Sequence, residues 1–145
     1  MTYPISYADE NEKNYIRRKL IEYNAQHVPD HLKSRYEEIN LAIKDDNGNI
    51  IGGLIAVLCW NWIEVDILWV DSAFRLKGTG TQLLNEIEKI ASEKDCDFIK
   101  LNTFSFQAPN FYIKNGYNQY SALENAPEGA KHFFFKKDIN SSKIL

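Results

Sequence analysis

The order of predicted elements along the chain favours an α/β (α+β) fold with six to seven strands and about four helices. Two observations carry this prediction. Residues 63–70 are rich in β-branched and aromatic residues, as in a strand, and a turn with two glycines at 75–81 follows them. Beyond the turn, apolar residues recur at the spacing of an amphipathic helix, namely Leu83, Leu84, Ile87, Ile90 and Ala91.

The N-terminal segment predicts a short strand and one or two helices. Residues 5–7 indicate a first strand. Asp9 with Glu12 three residues later is a capping-box pattern, and it predicts a helix that runs to about Asn24. Residues 25–34, interrupted by a proline, predict either a loop or a short second helix.

Three consecutive strands follow. Alternating apolar residues from Tyr36 to Ile43 predict a strand with one buried face. An Asn-Gly pair within residues 45–49 favours a hairpin turn, because this pair tolerates positive φ. Residues 50–59 then predict the return strand and residues 62–70 the third.

The C-terminal part predicts a strand at 98–101, a short helix and two final strands. The helix has proline at its first turn, Pro109, and Gly116 just past its end. The last strands are predicted at 117–120 and 131–137. Residues 1–139 are expected to form a single domain and residues 140–145 a mobile tail.

Composition limits the functional classes. A chain of 145 residues is long enough for one domain with a real core, and no apolar run approaches transmembrane length. The N-terminus lacks signal-peptide features, so a cytoplasmic location without a membrane partner is expected. A net charge of −3 with no basic stretch argues against a nucleic-acid partner. Cys59 and Cys96 do not suggest a disulfide framework.

The glycine turn at 75–81 predicts a phosphate-binding site. Glycines let a backbone approach a ligand closely, and a helix N-terminus offers free N–H groups and a favourable dipole. The Rossmann pattern does not fit, since Leu83 occupies the position of its third glycine. A P-loop does not fit either, because Gly80 is followed by Thr81-Gln82 rather than by Lys-Ser/Thr. A plain connecting turn is the remaining alternative.

Three segments in register resemble the GNAT N-acetyltransferase superfamily. The turn has the family's Arg-x-x-Gly-x-Gly pattern after the strand at 63–70, and residues 98–101 match its next strand. Residues 108–117 match its Ala-x-x-Phe-Tyr-x-x-x-Gly-Phe/Tyr segment. The resemblance implies a mixed twisted sheet with helices on both faces. It also implies an acyltransferase that moves an acetyl group from acetyl-CoA to an amine, without a covalent enzyme intermediate.

The resemblance also implies which residues hold acetyl-CoA. Backbone N–H groups of the turn would bind the pyrophosphate, and the end of the strand at 63–70 would pair with the pantetheine arm and polarise the thioester carbonyl. Where the family often has Asn, this chain has Ser105, seven residues before Tyr112. The residues assigned to the cofactor are Leu68, Trp69, Val70, Arg75, Leu76, Lys77, Gly78, Thr79, Gly80, Thr81 and Ser105.

Two catalytic functions follow from the same resemblance. Tyr112 matches the tyrosine that serves as general acid near the sulfur of CoA. Glu64 and Asp66 lie two residues apart and are expected to share one face of their strand, where several family members keep a general base. Glu64 is favoured over Asp66, and proton transfer through ordered water is the alternative.

The acceptor amine is not identified by any motif. A small molecule is the first expectation, and a protein or peptide amine is the second. A non-catalytic acyl-CoA sensor is a third reading of the same residues, and a homodimer is left open. His27 and His31 are four residues apart, but no cysteine or HExxH motif accompanies them, so no metal is expected.

Overall fold

The computed structural model describes residues 1–139, which fall into two compact units, Met1–Ser34 and a second that begins at Arg35. The predicted tail at 140–145 lies outside the described residues. A single domain over 1–139 stays a prediction. No helix within the described part of the chain is long and apolar enough to cross a membrane.

The first unit contains helix α1, Glu10–Ala25, and a single-turn 3-10 helix, Asp30–Leu32. The predicted capping box is present, since Asp9 Oδ1 accepts from the Glu12 amide at 2.8 Å and Glu12 Oε1 accepts from the Asp9 amide at 3.0 Å. The strand predicted at 5–7 is wrong. These residues lie outside regular structure, because no other described segment pairs with them to satisfy their backbone groups.

The second unit is a mixed sheet of six strands in the order β1-β2-β3-β4-β6-β5. All neighbours are antiparallel except β3 and β4. The strands are β1 (Tyr36–Lys44), β2 (Ile50–Cys59), β3 (Trp62–Val70), β4 (Phe98–Phe104), β5 (Asn118–Glu124) and β6 (Lys131–Asp138). The predicted hairpin turn joins β1 to β2, where Gly48 has a φ of 83°.

Two further helices, α2 (Thr79–Glu93) and α3 (Pro109–Lys114), pack on one face of the sheet, called here the inner face. The described residues thus contain three α-helices rather than about four, because the second predicted helix is only the 3-10 turn. The core between sheet and helices is built from Leu54, Ala56, Leu58, Ile63, Val65, Leu83, Leu84, Ile87, Ala91, Ile99, Leu101, Tyr112, Tyr117 and Phe135. The opposite, outer face is more exposed.

Strand β3 separates from β4 halfway along its length. The two strands pair only from Trp62↔Phe98 to Val65↔Leu101, whereas β3 continues to Val70 and β4 to Phe104. The separation begins at a β-bulge, because Ala56 of β2 pairs with Val65 while its neighbour Ile55 pairs with Ile67. Asp66 is the extra residue. A bulge bends its strand and increases its twist, so it accounts for the opening, called here the seam.

Candidate active site

The predicted phosphate-binding turn lies at the N-terminus of α2. Gly78 caps the helix with a φ of 84°, and no side chain caps it. The first backbone bond of the helix runs from the Gln82 amide to the Gly78 carbonyl, at 2.9 Å. The amides of Thr79, Gly80 and Thr81 therefore have no acceptor within the helix, as is general for a first turn. They are available to an anion, which the helix dipole also favours.

Glycine is required at positions 78 and 80 of the turn for two different structural reasons. A Cβ at Gly78 would meet nothing within 4 Å, so its positive φ is what requires glycine there. A Cβ at Gly80 would lie 2.9 Å from Cζ of Phe111. Gly80 therefore allows α2 to pack closely against α3, which places the turn beside the segment that carries Tyr112.

The basic residues of the turn are exposed and available for an anionic ligand. Arg75 donates through Nε to the Val70 carbonyl at 3.2 Å, which ties the turn to the end of β3. Lys77 lies over the ring of Phe74 at 5.7 Å. Leu76, with a φ of 61°, is fully exposed, so its side chain holds nothing in the described structure and its backbone is the part that could serve a ligand.

Beyond the bulge, the edge of β3 that faces the seam has no partner strand among the described residues. Leu68 and Val70 point towards the core, whereas Trp69 is on the outer face and is 46% exposed. A Cβ added to Gly52 would lie 3.1 Å from the Trp69 carbonyl oxygen and 3.4 Å from Cγ2 of Thr79. The start of α2 therefore lies against the unpaired end of β3.

Tyr112 of α3 is almost completely buried, with 7% of its surface exposed. Its ring contacts those of Phe111, Tyr117 and Phe135 at centroid distances of 5.2, 6.0 and 6.1 Å. Its hydroxyl forms no hydrogen bond with any described residue, yet it is not completely enclosed. Burial raises the pKa of Tyr112 to about 12. The phenol is thus a proton donor, and never a base, near neutral pH.

A partly buried polar network holds the end of α3. Tyr117 donates its hydroxyl hydrogen to Glu88 Oε2 at 3.2 Å, and Lys137 Nζ lies 2.7 Å from Glu88 Oε1. The same Lys137 ammonium donates to the Asn115 carbonyl at 3.0 Å. Burial, with the charge of Glu88, raises the pKa of Tyr117 well above its usual range. This network links α2, α3 and β6, and it fixes the helix that carries Tyr112.

Glu64 and Asp66 lie together on the outer face, as the sequence predicts, but their surroundings differ. The Glu64 carboxylate is 3.3 Å from the ammonium of Lys100, its directly paired neighbour on β4. Asp66 forms no ion pair or hydrogen bond with a described residue. Burial of its carboxyl and the negative charge of Glu64 raise the pKa of Asp66. Of the two, Asp66 is the one at the seam and the one with a raised pKa.

Ser105 follows β4, and its hydroxyl oxygen is already an acceptor. The Lys131 amide donates to Ser105 Oγ at 3.0 Å, and the Ser105 amide donates to the Lys131 carbonyl at 2.9 Å. Nearby, Gln107 Oε1 accepts from the Phe104 amide at 2.8 Å. These bonds order the loop between β4 and α3, and they leave the Ser105 hydroxyl hydrogen free to donate.

One cluster at the seam escaped the sequence reasoning. His132 of β6 pairs with Phe104 of β4, and its Nε2 lies 2.9 Å from Asn102 Oδ1. The ring of its partner Phe104 and the ring of Phe134, two residues further along β6, each lie 4.4 Å from the imidazole centroid. No local motif marks this group, because residues 102 and 132 become neighbours only through the pairing of β4 with β6.

Metal ligands do not gather in the described residues. No group of three or more His, Cys, Asp or Glu side chains in residues 1–139 has the arrangement of a metal site. Cys59 is a free thiol.

Comparison with known proteins finds acetyltransferases by sequence and by structure. The model of the acetyltransferase (GNAT) family matches residues 6–117. A crystal structure of an acetyltransferase from Bacillus cereus is 42% identical, with a TM-score of 0.89 over 94% of this chain and 97% of that one. The blasticidin-S acetyltransferase of Streptomyces morookaense is 34% identical over 95 residues, which is 65% of this chain and 70% of that protein.

A more distant structure adds a ligand. A Bacillus anthracis structure solved in complex with acetyl coenzyme A shares the fold, with a TM-score of 0.65 and 19% identity over 78% of this chain and 69% of that one. Both the family model and the Bacillus cereus relative cover well over half of the chain, including the turn and the tyrosine helix. The chain therefore belongs to the acetyltransferase (GNAT) family and is an acyltransferase.

Proposed function

We propose that the protein transfers an acetyl group from acetyl-CoA to a primary amine of a small molecule by direct attack. One observation supports this most: the end of β3, the free amides of α2 and the buried Tyr112 are neighbours in the structure. Thr79 and the Trp69 carbonyl both lie close to Gly52, Gly80 lies close to the ring of Phe111, and Phe111 packs edge-on against Tyr112. The parts that the reaction needs are thus near one another.

The residues present fit acetyl-CoA. The amides of Thr79, Gly80 and Thr81, with Arg75 and Lys77, would hold the pyrophosphate. The unpaired main chain of Leu68 to Val70 would accept an extended arm as an additional strand, with Ser105 as a side-chain donor. Acetyl-CoA supplies an activated thioester, and the protein contributes positioning, polarisation and proton transfer.

Tyr112 would stabilise the departing sulfur. The amine nitrogen forms a bond to the acetyl carbon, the carbon–sulfur bond breaks, and the electron pair remains on sulfur. A phenol of pKa about 12 is about 3.5 units weaker as an acid than a thiol, or roughly 5 kcal/mol. Full protonation of the thiolate by Tyr112 is therefore uphill. The hydroxyl acts mainly by donating a hydrogen bond to the developing charge.

Asp66, rather than Glu64, would accept the amine proton. Glu64 is ion-paired with Lys100, whereas Asp66 has no ionic partner among the described residues and has a raised pKa. The proton of the substrate amine can reach the Asp66 carboxylate directly or through one ordered water. Glu64 then keeps the Asp66 carboxyl a better base by its negative charge.

Thiol release from acetyl-CoA across a panel of acceptors tests the proposal. The panel contains simple primary amines, blasticidin S and a peptide with a free N-terminus, and calorimetry measures acetyl-CoA binding separately. We expect acetyl-CoA to bind and at least one small amine to stimulate thiol release.

Each other outcome replaces the proposal with a specific alternative. Stimulation by the peptide alone would make the protein a peptide acetyltransferase. Binding of acetyl-CoA without release for any acceptor would favour a sensor, and an absence of binding would remove the cofactor assignment.

A further inference from the structure

A cluster of aromatic rings covers the outer face of the sheet beside the seam. Phe104 stacks on Phe106 with an interplanar angle of 1° and on His132 with an angle of 29°. Phe134 lies 4.4 Å from His132 and 6.3 Å from Tyr120, measured between ring centroids. These five residues are called the ring cluster. Phe106 and Tyr120 are 66% and 54% exposed, and exposed apolar patches of this kind mark interaction sites.

The imidazole in the cluster has a fixed orientation. Nε2 of His132 faces the Asn102 amide oxygen, so the tautomer with its hydrogen on Nε2 satisfies that oxygen and leaves Nδ1 as an acceptor. No described residue donates to Nδ1. The ring cluster therefore presents flat apolar surface together with one hydrogen-bond acceptor. Four of its rings are on the paired strands β4, β5 and β6, and Phe106 follows β4.

The ring cluster lies beside the seam, and the carboxylate of Asp66 at the seam has no ionic partner among the described residues. Asn102 is the first residue of β4 beyond its pairing with β3, and Asp66 is the bulged residue on the other side. The other charged side chains of β3 to β6 have ionic partners in the described structure, namely Glu64–Lys100, Glu124–Lys131, Lys136–Asp138 and Lys137–Glu88. Among the described charges of these four strands, Asp66 is left to attract a cation, so an acceptor ammonium would be drawn to the end of the cluster nearest the seam.

We propose that the ring cluster binds the acceptor through a planar, unsaturated ring system, with the acceptor amine directed towards Asp66. This inference rests on the proposed amine acetylation and specifies its substrate class. Flat rings stack on Phe104, His132 and the exposed Phe106 with more contact than a puckered or polyhydroxylated body allows. Nδ1 of His132 accepts a hydrogen bond from a ring or exocyclic N–H of the same acceptor.

Two amines that differ mainly in ring planarity test the inference. Ligand-observed NMR on the protein saturated with CoA measures the dissociation constants of 2-phenylethylamine and 2-cyclohexylethylamine. We expect the phenyl compound to bind about 3- to 10-fold more tightly, the range that one favourable aromatic pair provides. Equal binding, or no binding of either amine, would overturn the inference.

Substitutions in the ring cluster test whether the preference for the phenyl compound arises there. His132→Leu, and separately Phe106→Leu with Tyr120→Leu, remove planarity from the cluster while keeping apolar bulk, and both are expected to abolish the phenyl preference. Tyr36→Leu, an exposed aromatic on β1 outside the cluster, should leave it intact. A preference that survives in both cluster variants would place the acceptor elsewhere. Acetyl-CoA binding and thiol release are measured on each protein, so a failed preference with intact thiol release refutes the ring cluster and spares the proposed function.

Discussion

At the scale of single residues, the burial of Tyr112 makes a separable prediction about catalysis. The hydroxyl has no partner among the described residues, so Tyr112→Phe removes one hydrogen-bond donor without unpairing another group. We expect kcat to fall about 10- to 1000-fold, while the affinity for acetyl-CoA changes little, because the lost interaction forms mainly in the transition state. Steady-state kinetics with a reactive acceptor and calorimetry give the two numbers. An unchanged kcat under conditions where chemistry limits the rate would reduce Tyr112 to a packing residue.

The same burial predicts how stability responds to alkali. Below about pH 10 the phenol is protonated in both the folded and the unfolded chain, so it adds no pH dependence. Between pH 10 and the folded pKa of about 12, the unfolded chain loses the proton first and the free energy of unfolding falls. The loss from this residue is about 3 kcal/mol over the whole interval.

Tyr112→Phe isolates this contribution, since every other ionisable group is the same in both proteins. Denaturant unfolding at pH 8 and pH 11 should show the variant gaining about 1 kcal/mol on the wild type at the higher pH. Parallel stability losses in the two proteins would mean that the phenol is not desolvated in solution.

Neutralising Asp66 and neutralising Glu64 should affect the reaction rate differently. Asp66→Asn should depress kcat/KM most near neutral pH, and the loss should shrink as rising pH supplies neutral amine without assistance. Glu64→Gln should have a smaller effect. It removes a negative charge that raises the pKa of Asp66, so that pKa should fall and Asp66 should become a weaker base. Complete pH–rate profiles of both variants make the comparison, and a larger loss in Glu64→Gln would return the assignment of the base to Glu64.

At the scale of elements, the contact of α2 with α3 predicts that the effect of Gly80→Ala on the free energy of unfolding depends on residue 111. Alanine at Gly80 favours the helix by about 1 kcal/mol, but its Cβ would meet the Phe111 ring at 2.9 Å. Overpacking costs about 1–3 kcal/mol, so Gly80→Ala should destabilise the wild type. In a Phe111→Leu background the obstruction is smaller, and the same substitution should become neutral or stabilising. A double-mutant cycle by denaturant unfolding measures the coupling, and additive effects would show that the two helices do not press together here.

Most elements could be predicted from local sequence because their signals are local. The capping box at Asp9, the Asn-Gly turn before β2 and the stripe along α2 each specify geometry within a few residues. The strand at 5–7 failed because strand formation depends on a partner, which a three-residue apolar pattern does not reveal. The bulge was missed for a different reason. The inward-facing positions change from 63 and 65 to 68 and 70, but the apolar Ile67 between them hides the change.

At the scale of the whole molecule, the site consists of two parts that differ in how well sequence reveals them. The turn at 75–81 and Tyr112 lie in contiguous motifs, so the resemblance could locate them. The ring cluster depends on β6 entering the sheet between β4 and β5, which brings residue 132 beside residues 102 and 104. Such long-range register follows from the packing of the complete sheet, and no stretch of the chain encodes it alone.

The bulge at Asp66 has a consequence for how stability and activity are balanced in this chain. Without that residue, Val65 and Ile67 would be consecutive and the inward positions 63, 65, 68 and 70 would alternate regularly along β3. Deletion of Asp66 should therefore be tolerated by the fold, and it should let β3 continue its pairing with β4. The expected protein melts at a higher temperature, because its backbone groups are better satisfied, yet binds no acetyl-CoA. A thermal scan and calorimetry on the deletion variant decide this, and a destabilised product would refute it. Activity would then depend on one inserted residue, Asp66, that prevents β3 from pairing with β4 along its full length.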